Sequence, residues 1–563
     1  MNQDRLTDLK KSLWGVADEL RANSGLKASA YSIPVLGLIF LKFADAKYTQ
    51  YEDEIMEEYE ALKGGRREKK VEEIAIEKCG FYLPKQSRYS YLLNLSEEEN
   101  IANKIKEAME GIEQYSPEFV GVLPKDNYHN LSADDNNRIL NRLLRNFNDI
   151  PTDSQNDIFG EVYEYFLGNF ALAEGQGGGE FYTPRTLVRY MVEVLQPMEG
   201  KILDPACGSG GMFVQTAHYA QEHKMKNGGA PLNLRAYGVE RTGETVKLAK
   251  MNLFLNNIRG EITEANSYYA DPYDSFGNFD YVLANPPFNV DNVELDIVKD
   301  QKRFNAYGVP QTKDKKPKVP NANYLWINQF ATALNETGKA ALVMANSASD
   351  AGNSEKEIRK SLIEDGIVSQ MVTLPSNMFS TVTLPATLWF FDKQKKKKDE
   401  ILFIDARNIF TQIDRALRNF SDEQIKNLAI INRLYEEDAE SFYKLIKEYE
   451  TSRDNAISEQ GKKYYQKQID WLLERFPDGK YQDVVGLCKV AKLDGDDGII
   501  DQDYSLNPGR YVGVVIEDDG MTAGQFKEKL SGLNDGFKQL NEEAKELESQ
   551  IQKNLDSLVI EYE

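Results

Sequence analysis

The residues best suited to chemistry are Asn285, Pro286, Pro287 and Phe288. They follow an apolar run, residues 279–284, which predicts a buried strand that the two prolines would end. The turn would hold the Asn285 amide oxygen and the proline carbonyls beside the flat face of Phe288. Oxygens that accept both N–H bonds of an exocyclic amine direct its nitrogen lone pair toward an electrophile, while the ring stacks on the planar group. An ordinary loop with a capping Asn and a core Phe is the alternative.

A glycine-rich segment forms a second candidate site. It follows an apolar run at residues 201–203 and precedes a predicted helix over 212–223, so it reads as a strand, a turn and a helix. Glycines allow a close backbone approach to a ligand near a helix amino terminus, a pattern shared by dinucleotide enzymes and methyltransferases. We find no phosphate-binding P-loop motif. The segment contributes the candidates Asp204, Ala206, Gly208, Ser209, Gly210 and Gly211.

Polar side chains are also predicted at the ends of the next two strands. Residues 234–239 predict a strand that ends at Glu240, where an acid can accept both hydroxyls of a ribose. The third strand runs into Asn266, which could bond an adenine edge. Solvated surface residues are the alternative for each. A fourth candidate segment ends in Thr183 and Pro184, which predict a helix cap and a first helical residue; a linker is the alternative.

These candidates lie in a predicted α/β domain with a Rossmann-like sheet, residues 151–410. Helices continue to alternate with apolar strands after the Asn-Pro-Pro-Phe turn, and this alternation indicates a parallel sheet with helices on both faces. A closing pair of adjacent strands is compatible with its last part. The later predicted helices are 324–334 and 354–363, and the later strands are 340–344, 368–374, 386–391 and 401–404.

The flanking regions are predicted to be helical. An apolar stripe from Leu6 to Leu20 and a buried helix after Pro34 indicate an amino-terminal helical domain over 1–150. Residues 411–520 are helical and turn-rich, and 521–563 form a heptad-patterned tail. The tail predicts a coiled coil with a partner helix, with a lone core helix as the alternative. Its seam comprises Phe526, Leu530, Leu533, Phe537, Leu540, Ala544, Leu547 and Ile551, followed by Asn554.

Composition narrows the function classes. The chain has 563 residues and a net charge of −22, so a nucleic-acid contact must be local or supplied by a partner, unless the charge only serves solubility. Three histidines and three widely spaced cysteines predict no metal site and no hydrolase triad. The cysteine spacing also leads us to expect a reducing, cytoplasmic location. No charge-free apolar run reaches ~18 residues, so we expect no membrane span.

A long segment after Phe288, residues 289–323, lacks periodicity and carries several lysines. Loops of this length are uncommon without a function. A basic lid could contact nucleic-acid phosphates, and a disordered solvated loop is the alternative.

The ordered motifs GEFYTP, DPACGSGG, GVE and NPPF resemble those of DNA amino-methyltransferases, above all the modification subunit of type I restriction-modification systems. The segments LWGVADELR, VLGLIFLKFAD and SLNPGRYV are also typical of that subunit, so the resemblance covers nearly the whole chain. It implies that S-adenosylmethionine supplies a methyl group to adenine N6.

The resemblance also implies residue roles. The cofactor would be held by the first three motifs, and Asn285, Pro286, Pro287 and Phe288 would hold the target base. Asn266 departs from the Asp found in many relatives. The cofactor set is Gly179, Glu180, Phe181, Tyr182, Thr183, Pro184, Asp204, Ala206, Gly208, Ser209, Gly210, Gly211, Glu240 and Asn266.

The resemblance implies two partners, double-stranded DNA with a flipped base and a separate specificity subunit. It also implies two modification subunits for each specificity subunit. Whether a restriction nuclease subunit joins stays open. No segment is typical of a module that reads DNA sequence, and this absence agrees with a separate subunit. The alternatives are an RNA or protein-glutamine methyltransferase and a non-catalytic assembly subunit.

Overall fold

The computed structural model describes residues 3–24, 28–96, 99–132, 138–152, 158–174, 183–226, 233–379, 385–415, 417–515 and 522–561. The chain divides into two compact units, Met1–Gly513 and Val514–Glu563. Within the described residues, no helix combines the length and apolar character needed to cross a membrane.

The amino-terminal part of the first unit is helical, as predicted. Leu13 and Ala17 of the predicted apolar stripe are buried. The predicted start of the second helix is wrong, because that helix begins before Pro34 and includes it. Burial of the apolar side chains that follow compensates for the lost backbone hydrogen bond of the proline. The helices are α1 (Gln3–Ser24), α2 (Ala28–Leu62), α3 (Val71–Cys79), α4 (Tyr89–Leu93), α5 (Ile101–Tyr115), α6 (His129–Ser132), α7 (Arg138–Phe147) and α8 (Ile158–Glu174).

The rest of the first unit alternates strands with helices. The strands are β1 (Gly200–Asp204), β2 (Leu234–Glu240), β3 (Gly260–Glu264), β4 (Phe279–Ala284), β5 (Leu334–Ala345), β6 (Val368–Thr373), β7 (Ala386–Asp392), β8 (Glu400–Asp405), β9 (Thr411–Gln412), β10 (Arg418–Asn419) and β11 (Cys488–Lys492). The helices are α9 (Arg185–Leu195), α10 (Gly211–Lys226), α11 (Gly243–Leu255), α12 (Leu295–Val298), α13 (Lys302–Asn305), α14 (Asn323–Ala333), α15 (Asn353–Glu364), α16 (Asp422–Tyr435), α17 (Ala439–Asn455) and α18 (Glu459–Arg475).

One large sheet organises these elements, and the predicted α/β class is confirmed. Its strand order is β11-β8-β6-β7-β5-β4-β1-β2-β3, while β9 and β10 form a separate pair. The sheet is mixed, because β7 runs antiparallel between β5 and β6, and β11 runs antiparallel to β8. The sequence pattern predicted no strand at β11. The other neighbouring strands of the sheet are parallel.

Both faces of the sheet are covered. Ile202 and Leu283 contribute to the core on one face, whereas Leu203 and Val282 contribute to the core on the other. Burial on both faces explains why the central strands read as continuous apolar runs. The helical region packs on α11, where the ring of Phe254 lies among the rings of four other phenylalanines at centroid distances of 4.6–5.8 Å.

The second unit contains α19 (Ala523–Glu561), a helix of 39 residues. The large apolar residues of its predicted heptad seam are exposed by 55–65 %. Such a row of exposed apolar side chains on one stripe is typical of a helix that packs against another helix.

Candidate active site

The candidate residues meet at one edge of the sheet. Strands β1 and β4 are adjacent and parallel, but the chain leaves β1 toward β2 and leaves β4 toward β5. A crevice forms where the strand order reverses in this way, beyond the carboxyl ends of the strands. Asp204, Glu240 and Ala284 are the last residues of β1, β2 and β4, so they lie at this edge.

The turn after β1 has a fixed shape. Asp204 is buried, and its Oδ1 accepts a hydrogen bond of 3.0 Å from the backbone N–H of Ala206. Burial raises the pKa of Asp204 well above its usual range, the Glu240 charge raises it further, and the Ala206 N–H opposes both. Gly208 and Gly210 have φ values of 51° and 81°, which suit glycine. The turn therefore connects the end of β1 to the amino terminus of α10 in a defined conformation.

Glu240 joins the first turn to the second. Its Oε2 accepts from the backbone N–H of Gly208 at 3.2 Å, and its Oε1 accepts from that of Thr242 at 2.8 Å. The carboxylate remains partly exposed. Each carboxylate oxygen can accept more than one hydrogen bond, so this group keeps free acceptor sites in a fixed position.

The loop after β3 is tied to the same turn. The Ser267 hydroxyl donates to the Pro205 carbonyl oxygen at 2.5 Å. Asn266 is partly buried, and its Oδ1 accepts from the backbone N–H of Tyr268 at 3.1 Å. The third strand ends at Glu264, two residues before Asn266, so Asn266 belongs to the loop and not to the strand.

Asn285 directly follows β4 and carries an unsatisfied acceptor. Its Nδ2 donates to the Thr183 hydroxyl at 3.2 Å, but its Oδ1 is buried and has no hydrogen-bond partner among the residues that the structure describes. A buried polar atom without a partner costs about 1–3 kcal/mol, so such atoms point to a missing ligand or to function. In the turn that follows Asn285, Pro286 is buried, Pro287 is exposed and Phe288 is partly buried.

A pair of amides that sequence reasoning missed holds the same turn. The backbone N–H of Asn289 donates to Asn323 Oδ1, and Asn323 Nδ2 donates to Asn289 Oδ1, both at 2.8 Å. Asn289 has a φ of 53°, a conformation in which Asn is enriched, and Asn323 is buried. An Asn directly after the turn was the available signal, but its partner lies 34 residues later.

The amino-terminal candidates are only partly described. Gly179, Glu180, Phe181 and Tyr182 lie outside the described residues. The predicted capping by Thr183 is wrong by one position, because α9 begins at Arg185 and Pro184 occupies the N-cap position. Pro184 has a ψ of 127°, which is not helical, and the Thr183 hydroxyl bonds Asn285 instead.

Comparison with known families decides the identity. The model of the N-6 DNA methylase family matches residues 154–519, and that of the HsdM N-terminal domain matches residues 9–147. The chain belongs to the N-6 DNA methylase family. This membership confirms the expected adenine-specific DNA methyltransferase activity and S-adenosylmethionine as the cofactor.

Relatives of this methylase agree along nearly the whole chain. The type I restriction enzyme MjaIX methylase subunit of Methanocaldococcus jannaschii is 34% identical, over 98% of this chain and 91% of the relative. The HindI methylase subunit of Haemophilus influenzae is also 34% identical, over 87% of this chain and 97% of the relative. The expected resemblance to type I modification subunits is confirmed.

A crystal structure shares the fold of the methylase. It is the type I restriction-modification methyltransferase subunit from Streptococcus thermophilus, with a TM-score of 0.69 and 20% identity, covering 90% of this chain and 99% of that one.

A buried polar network, also missed from the sequence, connects the methylase's helical region to the site. Arg185 Nε donates to Gln215 Oε1 at 3.3 Å, and Gln215 Nε2 donates to Glu164 Oε2 at 2.9 Å. Lys10 of α1 bonds Glu161, which also lies near Arg185. Burial raises the pKa of Glu164 to about 7, although the Arg185 charge opposes this. The network thus links α1 and α8 to α9 and α10.

Proposed function

We propose that Asn285 and the turn around it hold the target adenine while the methylase transfers a methyl group to its N6 atom. The observation that carries this proposal is the buried Asn285 Oδ1, for which the described part of the chain supplies no hydrogen-bond donor. An exocyclic amine would supply the N–H that this oxygen lacks. The carbonyl oxygen of Pro286 would accept the second N–H, and Phe288, which is only partly buried, would stack on the base.

The cofactor is assigned to the neighbouring turns. A methyl group at Gly211 would meet no atom of the described residues within 4 Å, so there is open space beside the first residue of α10. Backbone N–H groups at that terminus suit the cofactor's carboxylate. Glu240 would accept the ribose hydroxyls with the acceptor sites left free by Gly208 and Thr242, and Asn266 would contact the adenine ring of the cofactor.

When bound, S-adenosylmethionine supplies an electrophilic methyl group on a sulfonium. The residues of the chain would orient the adenine N6 lone pair toward that methyl group. They would also keep the other nitrogen atoms of the base away from it. As N6 takes the methyl group from the sulfonium, which would leave as a neutral thioether, its N–H groups become more acidic. The two acceptor oxygens would stabilise the growing positive charge on N6. One of these protons then leaves to solvent. The catalytic effect would come from positioning and electrostatic stabilisation.

The target adenine must leave the duplex to reach Asn285. Its N6 atom lies within the base stack, and enzymes that modify bases extrude them into a pocket. Phe288 would replace part of the stacking that the base loses. The proposal therefore includes base flipping.

Sequence recognition is assigned to a separate specificity subunit. Support comes from the exposed heptad seam of α19, whose residues Leu533, Phe537 and Leu540 are 64–65 % exposed. A partner helix on this seam would bury these side chains in a coiled coil. We propose two modification subunits for each specificity subunit, and a restriction nuclease subunit as a further partner. We also propose the division at residues 150, 410 and 520 as domain boundaries.

Asn285→Ala tests the central assignment. We expect it to abolish methyl transfer to DNA in the complex while the equilibrium Kd for S-adenosylmethionine stays close to wild type. The matched control is Asn278→Ala, the same change directly before β4, where the side chain bonds Lys201 and the Tyr273 carbonyl at the opposite sheet edge. An equal loss of cofactor binding in Asn285→Ala, or retained transfer, would overturn the role of Asn285.

A further inference from the structure

The long segment after Phe288 is an ordered loop, so the alternative of a disordered loop is wrong. Residues 289–322 leave and return at one neck, where Asn289 and Asn323 exchange hydrogen bonds and the Ala322 N–H donates to the Val290 carbonyl at 3.0 Å. Val298 and Phe304 of this loop are fully buried. The neck lies directly after the Asn-Pro-Pro-Phe turn, so the loop is attached to the proposed target-base site.

The middle of this loop forms a closed turn, residues 311–318, which we name the lysine turn. The Thr312 N–H donates to the Lys318 carbonyl at 2.9 Å, and the Lys318 N–H donates to the Thr312 hydroxyl at 3.2 Å. Gln311 is fixed to α15, because its N–H donates to the Ser354 hydroxyl at 2.9 Å and its carbonyl accepts from that hydroxyl at 2.8 Å. Helix α15 follows the carboxyl end of β5, so the lysine turn lies at the sheet edge that carries Asn285.

The charge of the lysine turn is opposite to that of the chain. It carries Lys313, Lys315, Lys316 and Lys318 against the single acid Asp314, a net charge of +3 in a chain of −22. All four lysines are exposed, and none forms an ion pair with any acidic residue that the structure describes. The nearby Lys356, by contrast, is paired with Asp503. Adjacent unpaired lysines repel one another, so this cluster does not stabilise the fold and suits an anionic partner.

We propose that the lysine turn binds the phosphate backbone of the DNA beside the flipped adenine. Lysine contacts to phosphates fix the register and orientation of a protein on the duplex without reading sequence. Because the turn is pinned at its neck and on α15, binding a phosphate there would place the duplex relative to Asn285. The inference rests on the proposed function and adds to it a contact between the modification subunit and the DNA backbone.

The test compares three triple variants in the complex with the specificity subunit. Lys313→Gln, Lys315→Gln and Lys316→Gln together remove three charges, and the same positions changed to Arg retain them. The control changes to Gln three exposed lysines in the turn after β7, which lies at the opposite edge of the sheet. These control residues are Lys396, Lys397 and Lys398. Lys397 pairs with Glu437 at 3.3 Å, so the control variant can lose thermal stability, but its salt dependence should stay that of the wild type.

The measurement is the Kd for an unmethylated duplex at 50 and 200 mM salt. Removing one lysine–phosphate interaction reduces the slope of log K against log salt by about 0.9, so the affinity change between the two salts shrinks about 3-fold for one interaction and about 40-fold for three. We expect the reduced salt dependence only in the variant with Gln at positions 313, 315 and 316. That variant should also show a raised KM for DNA, while its S-adenosylmethionine binding and thermal unfolding stay unchanged.

Two results would overturn the inference while leaving the proposed function intact. One is a wild-type salt dependence in the Gln variant. The other is weakened assembly with the specificity subunit, which would assign the lysines to an acidic protein surface. If the wild-type complex transfers no methyl group to adenine, the proposed function itself fails.

Discussion

The paired amides of Asn289 and Asn323 allow a sharp test of how the target-base turn is held. Asn323→Ala removes two hydrogen bonds of 2.8 Å. Each such bond contributes about 0.5–1.5 kcal/mol, so about 1–3 kcal/mol would be lost from the turn. If that free energy is used to hold Asn285 in its reactive position, kcat falls by about 5- to 150-fold.

Asn328→Ala is a matched control for this change. Asn328 also lies on α14, is fully buried, and donates two bonds of 2.8 Å to the carbonyls of Phe304 and Gly308 in the same loop. Both variants should therefore lose similar thermal stability. Single-turnover methyl transfer at saturating DNA and cofactor should fall in Asn323→Ala alone. Equal activity in the two variants, whether high or low, would refute a positioning role for the Asn289–Asn323 pair.

Three other parts of the chain can be tested in the same way. Glu240→Ala should weaken S-adenosylmethionine binding by about 10- to 100-fold, since charge-assisted hydrogen bonds are removed, and an unchanged Kd in a calorimetric titration would contradict its role. The raised pKa of Glu164, from 4.5 to about 7, keeps its proton in the folded state, so its contribution to stability is full below pH 4.5 and is lost as the pH rises through 7. Between pH 5 and 8 the wild type should therefore lose about 2–3 kcal/mol relative to Glu164→Gln in unfolding measurements, and parallel pH profiles would exclude this. Deleting residues from 521 onward should weaken co-purification with the specificity subunit without altering thermal unfolding of the remainder; normal co-purification would remove the tail from assembly.

Local pattern was sufficient where burial alone decides the structure. The apolar run before Asn285 predicted the bounds of β4, Phe279–Ala284, because it is buried on both faces and ends at two prolines. Glu240 was also correctly predicted at the end of β2. The apolar run of this strand is followed by a helical pattern, and the change from one to the other marks the carboxyl end of the strand.

Contacts between residues far apart in the chain could not be predicted from local sequence patterns. Strand β11 contains lysines and pairs on one side only, so its pattern is weak, and its place beside β8 depends on tertiary contacts. Pro34 was expected to precede a helix, yet the packing of α2 accommodates it inside one. The bond between Asn285 and Thr183 joins residues 102 positions apart, and no local signal in the sequence specifies such a contact.

The most direct test of the proposed function mixes the purified chain with labelled S-adenosylmethionine and unmethylated DNA, with and without the product of the neighbouring gene. We predict label on adenine N6 only when that product is present, because the chain carries the methyl-transfer site and the partner finds the sequence. Transfer by the chain alone would contradict the need for a separate specificity subunit. Absence of transfer in both mixtures would contradict the assignment of Asn285 and its turn as a site for adenine in DNA.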